Sequence, residues 1–221
     1  MDRFEGFYKE TIDFLVGISF NNNKEWYYEH KNEYVQYCKE PITALANQLY
    51  EKLNAMDPEF TDRPKISRIN RDIRFSKDKS PYKNAVWFFF RADGSPGIRH
   101  EDPTFFFEVM PEGYRFGLSY APLTAADLLK MRNKMLANIS EIQRYVEWFE
   151  KQKDYIIEGE KYKKKLADNV PESISDWFQR KDICFIKYCG FDEAFFKAEL
   201  LDILFKEYKK FYKLYDYFKN I

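Results

Sequence analysis

The sequence predicts an α+β fold: one domain over residues 1–221, with helices from both termini packed on a mostly antiparallel sheet of about four to six strands. Three observations carry this. Apolar residues recur at helical spacing up to about residue 56, switch to a period of two near residue 65, and return to helical spacing near residue 124. The strands between are joined mainly by short turns. No linker is rich enough in Gly, Ser or Pro to divide the chain, and no repeat is visible.

Taken in order, residues 8–19 read as a helix with Ile12, Leu15 and Ile18 on one face. Asn22 to Glu25 reads as a capping box with Asn22 as N-cap. The helix it opens carries Trp26, His30, Tyr34 and Tyr37 on one side. Pro41 either kinks that helix or begins the next, where Ile42, Leu45, Ala46, Leu49 and Leu53 continue the stripe. Asp57-Pro58 and Arg63-Pro64 mark a loop. Lys65 to Phe75 then alternates and reads as a strand, with Ile69, Ile73 and Phe75 on one face and Arg68, Asn70, Asp72 and Arg74 on the other.

Ala85 to Arg91 is apolar on both faces, which suits a strand covered on both sides. Asp93 to Asp102 reads as a loop. Phe105–Met110 and Tyr114–Tyr120 form a hairpin around Pro111-Glu112-Gly113. Thr124 caps a helix, a second helix carries Ile142, Val146 and Phe149, and Tyr155–Glu158 is a short strand. Residues 172–180 read as helix and Ile183–Tyr188 as strand. Asp192 caps a final helix or pair of helices striped by Leu204, Tyr208, Phe211, Tyr215 and Phe218.

Composition bounds the function. With 36 cations against 36 carboxylates the formal charge is zero, so the chain as a whole does not attract nucleic acid or an anionic membrane. Residues 1–10 are charged and lack the apolar centre of a signal peptide. The longest apolar run, Ala85 to Phe90, is far short of a membrane span. Three cysteines, Cys38, Cys184 and Cys189, are too few for a disulfide framework and suit a reducing, cytoplasmic compartment. Loops for phosphate, dinucleotide or nucleophilic-serine chemistry are missing. Only His30 and His100 are available for a histidine metal site. His30 falls on an apolar helix face and reads as a core residue, His100 as solvated. No cofactor is indicated.

One segment departs from this plainness. Lys65 to Lys83 holds Lys65, Arg68, Arg71, Arg74, Lys77, Lys79 and Lys83 against Asp72 and Asp78. Arginine offers a planar fork suited to phosphate or carboxylate. Alternatively, Arg and Asp in one row form a surface ion-pair ladder of little energetic value. The first reading is a site for an anionic or phosphorylated small molecule, built from Arg68, Asn70, Arg71, Arg74, Ser76, Lys77, Asp78, Lys79 and Lys83. If chemistry accompanies binding, Asp72 is the candidate acid or base and Tyr82 a weaker proton carrier, with Arg68, Arg71 and Arg74 as the electrostatic clamp. A metal between Asp72 and Asp78 finds little support, and none is assigned. The second reading is a nucleic-acid-binding module, whose basic surface would extend to residues such as Lys206, Lys209, Lys210 and Lys213. The third is a non-catalytic interaction protein in which the segment only fixes the fold.

The segment also resembles a family signature. Arg68 to Asp72, Arg74 to Lys79 and Pro81 to Lys83 are similar to the central motif of an uncharacterised, mainly bacterial family catalogued as domain-of-unknown-function family 2461. Phe14-Leu15 with Asn21 to Trp26, and Gly117 to Pro122 ahead of a helix with Arg132, resemble the same family. Lys163 to Ile174 departs from its pattern. The resemblance implies a cytoplasmic single-domain protein and brings no activity with it.

Overall fold

The computed structural model describes residues 3–91, 102–121, 124–219 and 221. His100 and most of the loop expected at Asp93–Asp102 lie outside them. The elements are α1 (Lys9–Phe20), α2 (Lys24–Glu29), α3 (Lys31–Glu33), a π-helical segment Tyr34–Lys39, α4 (Glu40–Met56), β1 (Arg63–Ile66), β2 (Val86–Arg91), β3 (Thr104–Met110), β4 (Gly113–Tyr120), α5 (Ala125–Ala137), α6 (Ile139–Glu150), β5 (Ile156–Glu158), α7 (Glu172–Phe178), β6 (Ile183–Cys189), a 3₁₀ turn Glu193–Phe196 and α8 (Glu199–Lys219). The six strands form one sheet in the order β1-β2-β3-β4-β6-β5, antiparallel as expected. Helical segments flank it in sequence at both ends, so the α+β class holds.

The backbone gathers into two compact units. The first holds α1 to β2 together with Phe106–Phe116 and Tyr188–Glu207. Its core is aromatic at the sheet and aliphatic on α4. Ile42, Leu45, Ala46, Leu49 and Leu53 are all buried, one stripe at helical spacing. Phe7 stacks between Phe107 and Phe195, and Phe60 meets Phe90 edge-on. The second unit holds Gly117–Lys187 and Tyr208–Ile221 with the start of β3. There Phe105 stacks on Tyr208 and Tyr215, and Phe185 packs against Phe149 and Trp177. Ring pairs at such spacings add packing energy beyond simple area burial. The heavy aromatic content is therefore largely core material.

Two sequence expectations are corrected. The first concerns Asn22 and Asn23: Asn23, not Asn22, caps α2, its side chain accepting from the Trp26 amide at 3.0 Å. The helix expected through Trp26, His30, Tyr34 and Tyr37 breaks at His30 and then widens to π geometry, which runs on into α4; Pro41 sits in the first turn of α4, and the Tyr37 carbonyl four residues back accepts instead from the Thr11 hydroxyl at 2.6 Å. His30 is half-buried, stacks on Trp26 with centroids 4.0 Å apart, and its Nδ1 bonds the Trp26 carbonyl at 2.8 Å.

The second correction is the strand expected over Lys65–Phe75. It ends at Ile66. Asp72 and Asp78 bond backbone amides two residues further on, and such turns compete with a strand ladder. Ile69 is buried, but Ile73 and Phe75 face solvent, so the alternation there is not that of a sheet.

Cys38 is buried and Cys184 and Cys189 are half-buried, and none of the three is in a disulfide.

Gly117 illustrates how closely the strands approach. A Cβ at this residue would collide with the backbone carbonyl oxygen of Phe185, which no rotamer change relieves. Gly117→Ala is expected to destabilise the protein by about 1–3 kcal/mol or more. A thermal melt with the midpoint of the parent chain would refute that close contact.

Candidate functional site

Residues 67–85 leave the sheet between β1 and β2 and return to it. The exit is paired: the Ser67 amide donates to the Trp87 carbonyl at 2.8 Å, and the Ser67 hydroxyl accepts from the Trp87 amide at 3.1 Å. The chain closes again at a bridge between Asn70 and Tyr82, with Arg71 N–H to Pro81 C=O at 2.9 Å and Lys83 N–H to Ile69 C=O at 2.8 Å. Residues 71–81 form the lobe beyond that neck.

The neck is pinned from outside. Asn22, in the turn between α1 and α2, accepts from the Tyr82 amide at 3.0 Å and donates to the Tyr82 carbonyl at 2.9 Å. One side-chain amide thereby satisfies both backbone groups of a single residue. Tyr82 itself is buried, its ring 4.4 Å from that of Tyr27. Asn84 adds a bond to the Ser19 hydroxyl at 3.2 Å.

Within the lobe the two carboxylates are occupied locally. Asp72 grips Arg74 through Nε at 2.9 Å and Nη2 at 2.7 Å, and takes its amide at 3.2 Å. Those bonds hold the Asp72 carboxyl down at about 2. Asp78 accepts from the Ser80 amide and hydroxyl and pairs with the Arg71 guanidinium. Its carboxyl is likewise held low, first by Ser80 and less by Arg71. Lys79 closes the lobe by donating to the Ile73 carbonyl at 2.9 Å.

The cations at the neck are arranged differently. Lys83 donates from Nζ to the Arg68 carbonyl at 2.7 Å, and its ammonium lies 4.3 Å from the Trp87 ring centre. Burial first, then the charges of Arg71 and Arg68, push this ammonium below the usual lysine value. Among the described residues, no carboxylate pairs with the Arg68 guanidinium or with Lys77. Three like charges thus gather at the neck, with Asp78 bonded to one of them.

A family model for a conserved hypothetical protein (DUF2461) matches residues 10–217. The chain belongs to that family. A search of curated proteins returns no match. In this DUF2461 chain, two stretches that resemble family motifs, Asn21–Trp26 and Pro81–Lys83, meet at the Asn22–Tyr82 clamp.

The sequence-predicted residues thus separate into groups. Arg68, Arg71 and Lys83 converge; Asn70 and Tyr82 form the neck bridge; Asp72, Arg74, Asp78 and Lys79 are spent on lobe turns. Ser76 is half-buried and Lys77 exposed on the lobe. The single row of Arg68, Asn70, Asp72 and Arg74 does not form, because the strand that would align them has ended. Asp72, ionised down to about pH 2, has little proton to exchange near neutrality. Burial pushes the Tyr82 phenol above its usual value, which equally disfavours proton transfer. Among the described residues no cluster of three His, Cys, Asp or Glu could hold a metal. Asn22, Tyr27 and Trp87 were not predicted as site residues. A polar Asn triplet on a turn was the available signal for Asn22.

Two outcomes follow from this geometry. Asn22→Ala leaves two buried-neck groups without their partner and is expected to lower stability by about 1–3 kcal/mol, read by urea unfolding; an unchanged midpoint would refute the clamp. The Asp72 carboxyl is depressed, so its pairing is complete above the ordinary value of 3.8 and is lost as pH falls from there through about 2. A side-chain NMR titration is expected to place Asp72 near 2, and Arg74→Gln to return it toward 3.8.

Proposed function

We propose that this DUF2461 chain is a cytoplasmic bacterial protein that binds a phosphate-bearing small molecule at the neck of the 67–85 lobe. One observation carries the reading: the Lys83 ammonium is anchored at 2.7 Å on the Arg68 carbonyl, where the charges of Arg71 and Arg68 act on it, and Asp78 is bonded to Arg71. Cations crowded in this way gain from a bound anion, and guanidinium forks beside an ammonium suit phosphate oxygens. The neck is pre-formed by the Asn22 clamp, so little ordering opposes binding. The locally spent carboxylates favour binding over acid–base catalysis by Asp72. Three cysteines with no disulfide among them support a reducing compartment, and no described helix is long and apolar enough to cross a membrane.

A second reading has one observation of its own. Phe75 at the lobe tip is 95% exposed, with the Arg74 guanidinium 5.8 Å from its ring centre. An exposed ring beside cations can stack on a nucleic-acid base.

Calorimetric titration with pyrophosphate separates the two. Saturable binding is expected, with only modest dependence on salt. Lys83→Gln and Arg68→Gln are each expected to weaken it at least about tenfold, equivalent to about 1.4 kcal/mol. Phe75→Ala is expected to leave it unchanged. If pyrophosphate does not bind while single- or double-stranded oligonucleotides do, with a log–log salt slope of roughly −4 to −5 that Phe75→Ala abolishes, the nucleic-acid reading replaces the first.

A further inference from the structure

The second compact unit carries another candidate binding surface. A groove of about 400 Å³ runs between α6 and α8, lined by Glu141, Arg144, Tyr145, Trp148, Lys210, Lys213 and Leu214. The spacing produces it. Glu141, Arg144, Tyr145 and Trp148 follow one edge of α6, beside the buried stripe of Ile142, Val146 and Phe149. Lys210, Lys213 and Leu214 follow the facing edge of α8. Trp148 meets Phe211 edge-on with centroids 5.0 Å apart, and Tyr145 donates its hydroxyl to the Lys213 carbonyl at 3.3 Å. Those contacts fix both aromatic walls on rigid helices.

The groove combines two kinds of recognition. Three cations face one carboxylate, Glu141, so it favours an anion. The Trp148 indole remains 37% exposed, which leaves ring surface for stacking. The volume falls at the lower end of the range for small-ligand pockets, about 300–1,000 Å³.

We propose that the α6–α8 groove binds a nucleoside monophosphate, its base on Trp148 and Tyr145 and its phosphate on Arg144 and Lys213. The ring accounts for the exposed indole and the phosphate for the excess of cations. Nothing in the proposal depends on the lobe of residues 67–85.

The test is equilibrium dialysis of the full chain with adenosine monophosphate, with adenosine and ribose 5-phosphate as ligands that each lack one half. Binding on the order of 1 mM or tighter is expected for the nucleotide, and at least about tenfold weaker binding for each half. Arg144→Gln with Lys213→Gln removes two exposed charges and leaves the packed face intact. That pair is expected to weaken the nucleotide at least about tenfold while leaving the circular dichroism spectrum and melting midpoint unchanged. Trp148→Leu is expected to weaken both adenosine and the nucleotide. Absence of nucleotide binding overturns the proposal. So does binding that survives Arg144→Gln with Lys213→Gln, or binding abolished by Lys83→Gln, which would assign the nucleotide to the lobe instead.

Discussion

Two hydrogen bonds between the Asn22 amide and the backbone of Tyr82 hold the candidate site together. They join groups 60 residues apart in sequence. They add an outside brace to the Asn70–Tyr82 bridge, its two flanking backbone bonds and the Lys83–Arg68 bond that close the neck from within. A side-chain amide is suited to this because it offers a donor and an acceptor side by side, matching the C=O and N–H of one residue. The turn between α1 and α2 holds Asn22 at that position, since Asn23 caps the helix and Trp26 packs beside Gly17. The α1–α2 turn thereby acts as a brace for a segment that leaves the sheet.

Once the neck is fixed, the carboxylates of the lobe have a local use. Asp72 and Asp78 each fold back on an amide two residues ahead and each engage an arginine. Both are exposed, so these pairs contribute shape more than stability. Their consumption changes the character of the segment. What reads in the sequence as a mixed row of acids and bases becomes a polar lobe with a cationic neck. That favours a binder of anions over an enzyme using Asp72.

Most of the architecture was legible in the sequence because periodicity reports burial. The α4 stripe, the hairpin of β3 and β4 and the long stripe of α8 all match their patterns. The misreadings of the α2 cap and of the Lys65–Phe75 strand share one cause. Asn, Asp and Ser side chains can bond to nearby backbone, and a pattern of two cannot reveal when they do so. Thus Lys65–Phe75 looked like a strand, although Phe75 lies in open solvent. Asn22 and Asn23 are chemically identical, and only the tertiary partner, Tyr82, distinguishes cap from clamp. The cations were legible as a cluster, but the selection of Arg68, Arg71 and Lys83 from seven depended on the turn geometry. The groove of Arg144, Trp148 and Lys213 was hidden because its residues come from helices far apart in the chain.

The central claim is that the neck holds cations whose mutual repulsion a bound anion relieves. Lys83 reports this most directly, because burial and the charges of Arg68 and Arg71 all depress its ammonium. A 15N NMR titration of the Lys83 side chain, with and without pyrophosphate, measures it. The account predicts an ammonium below the ordinary lysine value in the free protein that rises when the anion binds. An ordinary value that pyrophosphate leaves unmoved would contradict it.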